Sequence, residues 1–152
     1  MKQKFIDAYM KTAEVFAELS SARRLHVGAI VVKDERIISI GYNGMPSGWD
    51  NNCEDEYPIS PWIAENEEEE NVTYTLKTKP EVLHAETNAI AKLAKSTESG
   101  MDATLFVTHA PCLDCAKLVY QSGINSVFYR NSYRSDDGLQ FLRKAGVQVT
   151  QV

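Results

Sequence analysis

Four residues in two short clusters have the types and spacing of a metal centre. They are His84 and Glu86 in His84-Ala85-Glu86, and Cys112 and Cys115 in Pro111-Cys112-Leu113-Asp114-Cys115. One imidazole and two thiolates supply three ligands of a tetrahedral Zn2+ and leave the fourth position for water. That open position separates a catalytic zinc from a structural one, which a fourth side chain would close. Zinc brings the pKa of a bound water toward neutrality. Glu86, two residues after His84, is placed to reach such a water without ligating the metal and to carry its proton. Alone, C-x-x-C is often half of a structural zinc site or a redox pair, and H-x-E on a helix is usually surface. The combination, with each half preceding a helix and a strand between them, is far more specific. The alternative, a non-catalytic zinc module, would have no use for Glu86.

These clusters need helix starts to hold them. His84–Lys95 reads as a helix with Ala85, Ala89, Ile90, Leu93 and Ala94 apolar, and Cys112–Gln121 as another, stopped by Gly123. At such N-termini the backbone N–H groups and the helix dipole favour thiolate over thiol. Pro111 suits the start of a first turn. Thr104–Thr108 is the strand between. Upstream, residues 3–19 form an amphipathic helix, and Val27–Lys33 and Arg36–Ile40 a hairpin across Asp34-Glu35. Gly41-Tyr42-Asn43-Gly44 then breaks the strand. Downstream come a strand at Ser126–Tyr129, a helix capped by Asp136 or Asp137 that runs to Ala145 and ends at Gly146, and a last strand at Val147–Val152. The order α-β-β-α-β-α-β-α-β predicts one α/β domain spanning 1–152. It would be a five-stranded mixed sheet with helices on both faces, its later strands joined by right-handed βαβ crossovers. Residues 45–80 carry Pro46, Pro58, Pro61, Pro80 and an acidic run. They predict an insertion at about 50–80 with short structure of its own. Trp49, Tyr57, Trp62 and Tyr74 are the side chains that could pack it down.

A chain of 152 residues that is 43% hydrophobic suits a single folded domain. Its net charge of −5 argues against a long nucleic acid as partner. The charge is local, however. Residues 54–70 hold eight acids and no Lys or Arg; without them 16 basic residues face 13 acidic ones, a balance of +3. That remainder suits a small anionic ligand held by a few placed arginines. No apolar run is long enough to span a bilayer, and the N-terminus lacks a cleavage-like site. The odd, small set Cys53, Cys112 and Cys115 is no disulfide framework and points to a reducing, cytoplasmic setting. Cys53 has no neighbouring thiol or His and reads as a buried or loop cysteine. His26 reads as structural or exposed. His109 either lines a pocket or packs.

H-x-E followed by P-C-x-x-C is the known signature of zinc nucleobase deaminases. In that chemistry hydroxide attacks the carbon bearing the exocyclic amine. Over nearly its whole length the chain resembles the deoxycytidylate (dCMP) deaminases of the cytidine deaminase superfamily. The resemblance runs from Val27-Gly28-Ala29-Ile30-Val31-Val32 through Gly41-Tyr42-Asn43-Gly44-Met45-Pro46-Ser47-Gly48 and His84-Ala85-Glu86-Thr87-Asn88-Ala89-Ile90. It continues through Pro111-Cys112-Leu113-Asp114-Cys115-Ala116-Lys117 to Ala145-Gly146-Val147. The GYNG-x-P-x-G and HAE-x-NAI segments separate this family from tRNA adenosine deaminases and free-nucleoside cytidine deaminases. The short form is similar to bacteriophage members of cyanophage type, for which the setting would be the host cytoplasm.

The resemblance implies a cytidine-deaminase-like three-layer α-β-α sandwich. It implies hydrolysis of dCMP to dUMP and ammonia, supplying thymidylate synthesis, in a homohexamer activated by dCTP and inhibited by dTTP. An effector triphosphate could bring Mg2+ with it. Gly41, Tyr42, Asn43 and Gly44 would contribute to the effector site. Asn43 would also hold the deoxyribose 3′-hydroxyl. The Ala85 N–H would meet the base O2, and the Ala110 carbonyl would accept from the exocyclic amine. Forked cations suit the substrate phosphate, and Arg24 and the Tyr133-Arg134 pair are the best matches; Lys92 and Lys95 are weaker. Some relatives hold a second, structural zinc partly through the loop after GYNG. Here Cys53 stands in that loop without the other expected ligands, so one zinc per subunit is expected. Two alternatives stay open: a deaminase acting on dCTP as well as dCMP, and a tRNA-type nucleic-acid deaminase.

Overall fold

The computed structural model describes residues 1–59 and 73–152. Trp62 and the acidic run at 65–70 lie outside the described residues. The elements are α1 (Gln3–Ala17), β1 (Gly28–Lys33), β2 (Arg36–Tyr42), β3 (Glu54–Pro58), β4 (Tyr74–Thr78), α2 (Ala85–Ala94), β5 (Thr104–His109), α3 (Leu113–Gln121), β6 (Ser126–Asn131), α4 (Asp137–Lys144) and β7 (Gln148–Gln151). Five strands form one mixed sheet in the order β2-β1-β5-β6-β7, and β3 and β4 form a separate hairpin. β1 is antiparallel to β2 and β5, while β5-β6 and β6-β7 are parallel pairs bridged by α3 and α4. The expected three-layer α-β-α arrangement is the one found.

The two faces of the sheet follow from strand alternation. Ala29, Val31, Leu105, Val107 and Val127 point to one side, where α2, α3 and α4 cover them with Ala89, Leu93, Ala116, Val119 and Leu142. Ile30, Val32 and Phe106 point to the other, under Ile6, Met10 and Ala13 of α1. Phe106 is fully buried and stacks on Phe128 with centroids 4.9 Å apart. Such a contact adds about 1 kcal/mol beyond the burial of its area. β1 and β2 are joined by Asp34 and Glu35 at φ 49° and 59°, the left-handed two-residue turn that suits the strand twist. No helix among the described residues is long and apolar enough to cross a membrane.

Several expectations need correction. The glycine at 41 does not break β2; Gly41 pairs with Ala29 and Tyr42 with Gly28, so the strand runs two residues further. A Cβ on Gly41 would stand 2.1 Å from the Ala85 carbonyl oxygen and 2.6 Å from the Ala89 nitrogen. The glycine is there so that β2 can lie against the backbone of α2. Asp136 occupies the N-cap of α4 but makes no capping bond; the Ser135 hydroxyl accepts from the Asp137 N–H instead, at 3.1 Å. Among the described residues, the insertion is not held down by its aromatics. Trp49, Tyr57 and Tyr74 are all exposed, and the hairpin is fastened by charge, through Arg23 to Glu56 at 2.6 Å and Lys79 to Asp55 at 3.8 Å.

Gly41→Ala is expected to cost about 2–3 kcal/mol by overpacking, a fall in Tm of about 5–10 °C. Gly44→Ala, where the added Cβ meets nothing within 4 Å, should leave Tm within about 2 °C. Thermal denaturation of the two variants checks the contrast.

Candidate active site

Two helix starts meet at the C-terminal end of β5. His84 takes the N-cap of α2 in extended conformation, φ −77° and ψ 154°. Its carbonyl accepts from the Asn88 N–H at 3.0 Å and the Thr87 hydroxyl at 2.8 Å. Cys112 takes the N-cap of α3, also extended, and Cys115 lies buried in that helix's first turn. Between them Leu113 and Asp114 face solvent, with Asp114 paired to Lys117 at 2.8 Å. The Ala110 N–H donates to the Asn131 carbonyl at 2.8 Å, and the Asn131 amide donates to the Thr108 carbonyl at 2.9 Å, tying this loop to β6. Gly138 of α4 closes the loop from behind; a Cβ there would lie 2.1 Å from the Pro111 carbonyl oxygen.

The three ligand atoms converge. His84 Nδ1 is 3.7 Å from Cys112 Sγ and 3.3 Å from Cys115 Sγ, and all three atoms lie within 4.8 Å of one another. A tetrahedral zinc with ordinary bond lengths spaces sulfur and nitrogen ligands about 3.6 Å apart. The donor set therefore fits Zn2+ in both chemistry and spacing. The Cys112 thiolate accepts from the Cys115 thiol and from His84, which lowers its pKa to about 4. Cys115, donating to Cys112 and buried, has its pKa raised instead. His84 is raised by its hydrogen bond to Cys112. A metal cation held by these three atoms would supply the counter-charge.

Glu86 is 4% exposed in the first turn of α2. Burial raises its pKa, against its own backbone N–H and the charge of His84, which favour the ionised form. A carboxyl raised this way holds a proton more readily than a free one, as a group that carries protons must. His109, half-buried, is held neutral by desolvation. The Thr108 hydroxyl, 3.1 Å from His109 Nδ1, already accepts from the Gly28 N–H at 3.1 Å.

A cleft of about 240 Å3 opens onto these groups and is lined by His84, Glu86 and Cys112. The same walls contain Arg24, Asn43, Ala85, Ala110, Tyr133 and Arg134, so the expected substrate-facing residues are brought together. The Arg24 guanidinium donates to Thr78 Oγ1 at 3.1 Å. The Asn43 amide is engaged at both ends, accepting from the Val27 N–H and donating to the Leu25 carbonyl, each at 2.8 Å. Gly41, Tyr42 and Gly44 do not line the cleft. They fasten it: the Asn88 amide donates to the Tyr42 carbonyl at 2.8 Å, and Gly44 bridges Leu83 just ahead of His84. Lys92 is spent on the Ile40 carbonyl at 2.9 Å. Sequence reasoning missed Glu54 and Thr78, which the insertion contributes to the cleft wall, and Val82 just after it. The one available signal was Cys53, an isolated apolar residue in an acidic stretch, now found fully buried beside Ala22 and Val82.

Comparison with known proteins agrees with this geometry. Residues 3–131 match the model of the cytidine and deoxycytidylate deaminase zinc-binding region. The deoxycytidylate deaminase of Enterobacteria phage T2 is 32% identical over 94% of this chain and 89% of its own length. ComE operon protein 2 of Bacillus subtilis is 35% identical over 95% of this chain and 69% of its own. The crystal structure of the dCMP deaminase from cyanophage S-TIM5 in complex with dCMP and dUMP superposes with a TM-score of 0.83. It is 44% identical and covers 100% of this chain and 99% of that one. Two zinc-ligand helix starts, a buried glutamate between them and this breadth of likeness lead to one statement: the chain belongs to the cytidine and deoxycytidylate deaminase family.

Proposed function

We propose that this protein hydrolyses dCMP to dUMP and ammonia, with zinc held by His84, Cys112 and Cys115. The observation that carries the reading is one cleft that joins the ligand triad and Glu86 to two arginines, Arg24 and Arg134. A base deaminase needs the first; a nucleoside monophosphate substrate needs the second. When bound, the zinc supplies Lewis-acid activation of water near neutral pH. Glu86 takes a proton from the attacking water and delivers it to the ring N3. Oxygen adds at C4, the C4–N4 bond breaks, and the amine leaves as ammonia with a proton passed through Glu86. The Ala85 N–H and Ala110 carbonyl hold the base edge, and Arg24, Tyr133 and Arg134 hold the phosphate. Asn43 meets the 3′-hydroxyl with the amide hydrogen not engaged by Leu25.

Regulation by dCTP and dTTP in a hexamer belongs to the same proposal, as does Mg2+ carried in with the triphosphate. Supporting it, residues 41–44 bond to the cleft through Asn43 and to α2 through Tyr42, so a ligand on that loop would bear on both.

Glu86→Gln should lower kcat on dCMP by about 10^2–10^4-fold while zinc content stays at the wild-type value; full activity would overturn the mechanism. Metal analysis should give one zinc per chain in the wild type and in Cys53→Ala, and under about a tenth of that in Cys112→Ser, since a lost thiolate removes one of only three ligands. Turnover of dCMP, dCTP and deoxycytidine compared side by side, with dCTP and dTTP then titrated into the dCMP assay, tests substrate and regulation together. The expected result is preference for dCMP and a sigmoidal rate curve that dCTP straightens and dTTP depresses.

A further inference from the structure

We infer that Glu54 is a positioning residue, which fixes the backbone bend at Arg23-Arg24 and through it the aim of the Arg24 guanidinium into the cleft. The inference rests on the dCMP reading given above. Glu54 opens β3, in the insertion that looked at first like a solvated acidic segment, yet it is 1% exposed and forms part of the cleft wall. One carboxylate oxygen, Oε1, accepts from two consecutive backbone N–H groups, Arg23 at 2.9 Å and Arg24 at 3.1 Å. Those two amides lie between α1 and β1, outside any helix or strand, so no ladder orients them. A single buried acceptor shared by both sets the direction of the chain just where Arg24 leaves it.

The rest of the hairpin works on the same two residues. The Arg23 side chain is drawn away from the cleft, to Glu56 Oε1 at 2.6 Å and Asn52 Oδ1 at 3.4 Å. Arg24 is drawn along it, to Thr78 Oγ1 at 3.1 Å on β4. Two adjacent arginines are thereby sorted: one pairs with the hairpin's acids, the other keeps its charge for a ligand. The second oxygen of Glu54, Oε2, is the one buried side-chain polar atom among the described residues that has no hydrogen-bond partner. Its nearest cation, Arg23 Nε, is 3.6 Å away. Burying an acid with one oxygen unspent is costly, and the two backbone bonds to Oε1 offset part of that cost.

The test separates Arg24-mediated effects from others by comparing a substrate with a phosphate to one without. Glu54→Ala should raise KM for dCMP about tenfold with kcat within about twofold, while kcat/KM for deoxycytidine stays unchanged. Glu54→Gln, whose carbonyl oxygen can still accept from both amides, should bring KM back to within about threefold. In an Arg24→Ala background the Glu54→Ala substitution should add nothing, the signature of two residues acting as one. Should Glu54→Ala prove too unstable to purify, Glu54→Asp, one methylene too short for both amides, takes its place in the cycle. Equal losses on dCMP and deoxycytidine would overturn the inference and put Glu54 on the nucleoside itself. Multiplying losses from Glu54→Ala and Arg24→Ala would overturn it too. Calorimetry with dUMP runs the same cycle without turnover. An inactive wild-type chain would thus refute the proposed reaction, while coupling between Glu54 and Arg24 is still read from binding.

Discussion

Two sulfurs and an imidazole nitrogen within 4.8 Å of one another are a poor arrangement for a protein without a counter-charge. Two thiolates side by side repel, and the pair is pushed apart: hydrogen bonds from Cys115 and His84 lower the pKa of Cys112, while its bond to Cys112 and burial raise that of Cys115. The scaffold is shaped around this conflict. It aims two helix N-termini at the same point, and their N–H groups and dipoles offset part of the negative charge. A divalent cation offsets the rest. Everything else in the fold fixes where those two helix starts stand.

That task is divided among elements that contribute no ligand. β5 delivers the loop carrying Cys112, and Asn131 on β6 holds that loop through its carbonyl, which accepts from the Ala110 N–H. Gly41 lets β2 lie directly against α2, while the Asn88–Tyr42 hydrogen bond and the Gly44–Leu83 bridge lock the approach to His84. The β3-β4 hairpin stands outside the main sheet and closes the far wall of the cleft. The reactive end of the cleft is thus built on the rigid sheet, and its ligand-facing end on a smaller, charge-fastened piece.

Much of this was legible in the residues. Apolar residues at helical spacing, and β-branched runs such as Val27–Val32, place the helices and sheet strands to within a residue or two. The ligand triad is legible because metal coordination restricts both residue type and spacing. The hairpin was not legible, because Glu54–Pro58, EDEYP, has neither β-branched residues nor an apolar face. It holds as a strand through its pairing with Tyr74–Thr78 and through Arg23, a partner 31 residues away from Glu54 in sequence. Glu54 itself is hidden for a related reason: within an acidic run, a buried acid and a solvated one are written identically. Gly41 was misread because a glycine chosen for closeness looks, in sequence, like one chosen for a turn.

The contact between Gly138 and the Pro111 carbonyl reaches beyond packing. It sets the last helix against the loop that carries Cys112, although nothing after Cys115 supplies a ligand. The loop that carries two of the three candidate ligands is therefore braced from behind by α4, an element that contributes none. A change that loosens α4 would thus reach the Cys112 loop without touching a ligand.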